Sequence, residues 1–72
     1  MAEPGTILNQ NIRAEMARRS VLQADLAQAI GMSQPALSRR LSGQADWNLL
    51  ELFAAAQHLG VRVADLLPEV AA

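Results

Sequence analysis

Seventy-two residues, half of them hydrophobic and 18% charged, describe one small domain with a core of its own and exclude a disordered tail. The chain has no Cys, so a disulfide framework and a thiolate metal site are both excluded, and no apolar run nears the ~18 residues of a membrane span. The formal net charge is -1, yet from Gln10 to Ala45 five arginines stand against two acids, so the total does not exclude a phosphate-binding surface.

Residues 1–5 read as a loose lead, with Pro4 and Gly5 as punctuation. Thr6 then predicts the cap of a first helix that runs to about Arg19, its apolar stripe being Leu8, Ile12 and Met16. A second helix is expected from about Leu22 to Ile30, burying Leu26, Ala27 and Ile30. Its start stays open: Ser20-Val-Leu-Gln23 has the form of a capping box, whereas Leu22 directly before Gln23 is a poor cap. Gly31 ends it.

Ser33 is a good cap for a third helix with Pro35 in its first turn, where a missing N–H costs nothing. This helix extends to Leu41 or Ser42 and stops at Gly43. Gln44–Trp47 forms a loop, with Trp47 expected to pack it onto the next helix. Asn48, with Glu51 three residues on, is the cap signature of a fourth helix ending at His58 or Leu59; Asp46 is the alternative cap. Leu49, Leu52, Phe53, Ala56 and Leu59 form its predicted core stripe, leaving Leu50 off it as a candidate dimer contact. After Gly60 a short fifth helix covers about Val63–Leu67 and stops before Pro68. The expectation is an all-α chain of five short helices, divided into a lead (1–5), a domain (6–67) and a short tail (68–72).

The informative segment is Gln23-Ala-Asp-Leu-Ala-Gln-Ala-Ile-Gly-Met-Ser-Gln-Pro-Ala-Leu-Ser-Arg-Arg-Leu-Ser-Gly43. Ala27 is small where two helices cross closely, Gly31 permits a sharp turn, and Met32 and Leu37 pack back beneath both helices. Two helices joined by such a short Gly-containing turn make a helix-turn-helix. In Gln23, Leu26, Ala27, the Gly31 turn, Ser33-Gln34, the Leu37-Ser38-Arg39 run and Gly43, the chain resembles the phage repressor and Cro proteins of the XRE family. The likeness continues through Leu52, Ala55, Ala56, Leu59, Gly60, Val61 and Asp65-Leu66-Leu67, and so spans about Leu8 to Leu67.

That resemblance implies a lambda repressor-like domain whose third helix lies in the major groove of double-stranded DNA. It implies base contacts from Gln34, Pro35, Ser38 and Arg39, with Gln suited to adenine and Arg to guanine. Phosphate contacts are expected from Gln23, Ser33, Arg40, Ser42 and Arg13. Pro35 departs from the polar residue common at its position and offers shape rather than hydrogen bonds. Arg40 replaces a usually apolar residue, leaving open a phosphate contact or an ion pair with a neighbouring helix. Leu22 stands where the family has a Ser or Thr cap, and Ser20 where Gly is frequent.

The expected partners are operator DNA and a second copy of the chain, with the fifth helix and its tail (Val63–Val70) as the natural interface. A chain of this length resembles single-domain Cro more than two-domain repressors. No cofactor, metal, membrane or small-molecule ligand is expected: His58 is the single His, and no Gly-rich phosphate loop or paired acids appear. The start, Met-Ala-Glu-Pro-Gly, lacks signal-peptide character, so the cytoplasm of a bacterial or phage-infected cell is the expected location. The rival reading is an antitoxin or antirepressor that keeps the fold for protein contacts.

Overall fold

The computed structural model describes residues 3–69, so the first two residues of the expected lead and the last three of the tail lie outside it. Five helices follow in order: α1 (Pro4–Arg18), α2 (Gln23–Ile30), α3 (Gln34–Leu41), α4 (Leu49–Leu59) and α5 (Val63–Leu66). The helix α1 starts earlier than Thr6. Glu3, in an extended conformation, is its N-cap, and the Glu3 carbonyl accepts from Thr6 N at 3.0 Å and Ile7 N at 3.1 Å. Pro4 therefore opens the helix, in the position its fixed φ favours, instead of interrupting the chain.

The helix ends share one device. At Gly31 and Gly60, both at φ 73°, the following N–H returns to a carbonyl five residues back: Met32 to Ala27 and Val61 to Ala56, each at 3.0 Å. Ser20 does the same for α1 at φ 53°, with Val21 N donating to Met16 O at 2.9 Å. Ser20 thus closes α1 and does not cap α2, which explains why Gly suits this position.

Leu22 is the N-cap of α2 and is 68% exposed. Its side chain has no acceptor, so only half of a capping box exists: the Asp25 carboxylate accepts from Leu22 N at 3.3 Å. Leu22→Ser is expected to supply the missing acceptor for the Asp25 N–H and to stabilise the domain by about 1 kcal/mol. A thermal melt should rise by about 4–8 °C. An unchanged melt would mean that the α2 start is already satisfied by water.

The core gathers Ile12 and Met16 of α1, Leu26 and Ala27 of α2, Leu37 and Leu41 of α3, four residues of α4, and Leu66 of α5. Here α2 packs on α3 and α4, while α1 supports α3 and α5. Asn11 Nδ2 adds a 2.9 Å hydrogen bond to the Leu66 carbonyl. The buried face of α4 is Leu52, Ala55, Ala56 and Leu59, so two members of its expected stripe are displaced. Leu49 and Phe53 are 62% and 54% exposed and join Leu50, at 79%, on an open apolar face. Ala55, 0% exposed, takes an inner position in their place. Trp47 is partly buried against the core cluster, and its indole N–H donates to Asn9 Oδ1 on α1 at 2.8 Å, a tie the sequence does not show.

Candidate nucleic-acid interface

The turn between α2 and α3 is set by Gly31 at one end and by Ser33 at the other. Ser33 Oγ accepts from Ala36 N at 3.2 Å and caps α3, with Pro35 in the first turn. Leu37 and Leu41, four residues apart, are buried, which fixes how α3 is rolled on the body of the domain. Gln34, Pro35, Ser38, Arg39 and Ser42 are consequently all exposed. Ser33 is exposed at the start of the same helix, and Gln23 is half-buried at the start of α2.

Ion pairing divides the arginines. Arg18 and Arg19 both reach back to Glu15 on α1, and Arg62 pairs with Asp65 at 3.2 Å. Arg40 forks onto Glu51, its Nε and Nη2 donating to the two carboxylate oxygens at 2.9 and 3.0 Å. Arg40 thus makes an ion pair with a neighbouring helix, one of the two roles its sequence position leaves open. The Arg40 guanidinium holds the Glu51 carboxyl below its usual range, helped by Asn48 N–H. The pair is therefore intact above the ordinary carboxylate range and is lost only as pH falls through that lowered value.

Arg13 and Arg39 remain the arginines without an ion-pair partner among the described residues. Arg39 belongs to the exposed arc of α3. Arg13 lines an open cleft with Ser42 and Gly43 at the end of α3, so the fold brings two expected phosphate residues together. Thr6 and Gln10 line the same cleft and are additions to the expected set. Their signal is present in the sequence, because they precede Arg13 by seven and three residues on one helical face. Glu51 reads in the sequence only as a cap residue; the reach to Arg40, eleven residues earlier, is tertiary.

Two short helices joined by a turn with a left-handed Gly, the second presenting an exposed polar arc, define a helix-turn-helix module. The chain belongs to the helix-turn-helix family, whose model matches residues 12–66. Among the described residues no group of three or more His, Asp or Glu could hold a metal ion. The fold is similar to that of the restriction-modification controller protein C.AhdI from Aeromonas hydrophila, with a TM-score of 0.80 at 19% identity. The similarity covers 86% of this chain and 94% of that one. No curated protein sequence matches the chain. Among the described residues no helix is long and apolar enough to cross a membrane.

Proposed function

We propose that the unit 6–67 is a sequence-specific, double-stranded DNA-binding transcriptional regulator of the Cro or repressor type, acting in the cytoplasm. The observation that carries this reading is the placement of the two unpaired arginines. Arg39 stands on the exposed arc of α3, and Arg13 stands beside its C-terminal end. In this reading α3 enters the major groove and Gln34, Pro35, Ser38 and Arg39 face base edges. Arg13 and Ser42 meet phosphate on one side of the helix, and Gln23 and Ser33 meet it on the other. That C.AhdI is named a controller protein is in keeping with a regulatory role.

One domain of this size covers little DNA, so two copies on half-sites about 34 Å apart complete the proposal. The apolar face of α4 is the seat we assign to the second copy. Phe53 both projects from that face and lines a shallow groove with Val61 and Val63. Knob and groove on one face suit a two-fold contact, in which each copy offers both. This seat lies mainly on α4, where the sequence marks Leu50, and of the α5 and tail region it takes in only the first residue, Val63.

Selection from random-sequence DNA at moderate salt tests the reading. A palindromic site is expected, and the absence of any tight site would overturn it. Arg39→Ala should then cost about 1–3 kcal/mol of binding and relax preference at one base pair. A uniform loss across sequences, with a shallower salt dependence, would assign Arg39 to phosphate instead.

A further inference from the structure

The Arg40–Glu51 pair ties the reading helix to the helix that carries the apolar face. Packing alone seats α3 on α1 and α2, and α4 on α2 and α5. The pair adds a direct side-chain link between α3 and α4, partly buried on both sides. Its geometry is a two-point fork, which restrains rotation as well as distance. The same Glu51 carboxylate accepts from Asn48 N at 3.0 Å, while Asn48 Oδ1 accepts from Glu51 N at 2.8 Å. Glu51 is thereby fixed at the first turn of α4 before it grips Arg40. Arg39, the base-facing candidate, precedes Arg40 directly, and Leu50, the most exposed apolar residue on α4, precedes Glu51.

We infer that Arg40 and Glu51 are positioning residues, which set the angle of α3 relative to α4 and so the fit of α3 in the groove. The inference rests on the DNA-reading proposal. Neither side chain touches DNA in it: the guanidinium directs two donors at Glu51, and its positive charge is locally neutralised. A phosphate role for Arg40 makes the opposite prediction for Glu51, because removing the carboxylate would release the cation toward DNA.

The test compares wild type, Glu51→Gln and Arg40→Met on the selected operator and on random duplex DNA, over a range of salt. The Glu51→Gln substitution keeps a side-chain oxygen for the capping box, so α4 retains its start. Circular dichroism at the assay temperature establishes that each variant is folded. Both variants are expected to lose about tenfold in operator affinity. Affinity for random DNA and the slope of binding against salt should stay unchanged. Equal or tighter operator binding by Glu51→Gln overturns the inference, as does a slope reduced by about one in Arg40→Met. A loss in Glu51→Gln alone also overturns it, because the effect would then come from the α4 cap. If wild type itself selects no site, the DNA-reading proposal fails and not the positioning role within it.

Discussion

Leu37→Ala is expected to remove between about a fifth and all of the stability of the domain. Leu37 is 0% exposed and sits in the centre of the cluster formed with Ile12, Leu26 and Leu59. Truncating such a side chain costs about 2–5 kcal/mol, through lost transfer energy and the cavity left behind. A domain of this length has about 4–11 kcal/mol in total. The midpoint of thermal unfolding should fall by on the order of 15 °C, with a matching drop in the urea midpoint. Since Leu37 also fixes the roll of α3, operator binding should weaken even where the variant is still folded. A loss under about 1 kcal/mol would show that neighbouring side chains collapse into the space, against the close packing described above.

Leu50→Glu combined with Phe53→Glu should have the largest effect on DNA binding while sparing the fold. Both side chains are mostly exposed, so the stability should change by about 1 kcal/mol or less. Across a two-fold contact the new carboxylates would face each other in a desolvated seat, which opposes association. Sedimentation should show monomers at concentrations where the proposed wild-type dimer forms. Operator affinity should fall by about 100-fold or more, because the second half-site no longer binds as part of one linked unit. A variant that stays dimeric would move the interface elsewhere, and α5 with the following tail is then the next surface to alter.

Much of this architecture is legible in the sequence where a residue type has a single local use. Gly31 and Gly60 stop helices, Ser33 and Asn48 start them, and Leu26, Ala27 and Leu37 are buried as the spacing requires. Sequence and structure part where one residue serves two local purposes. Pro4 is both a breaker and a good first helical residue, and Ser20 is both a cap and a tolerable left-handed position. The inner face of α4 is obscure for a different reason. From Leu49 to Ala56 Glu51 is the one charged residue, so no polar face marks which apolar residues turn inward. The exposed arc of α3 follows from Leu37 alone, whereas the charge pairing that singles out Arg13 and Arg39 depends on tertiary contacts.

The anchoring of Trp47 to Asn9 gives the molecule an optical gauge of its own. It is the one tryptophan in a chain without tyrosine, so its emission needs no separation from other fluorophores. The bonded partner lies 38 residues away in sequence, and the indole is lodged between α1 and the loop leaving α3. A change in its spectrum therefore reports a change where those two segments meet. Ser42 and Gly43 border the same recess, so a duplex seated against the end of α3 would alter the surroundings of this fluorophore without any label attached.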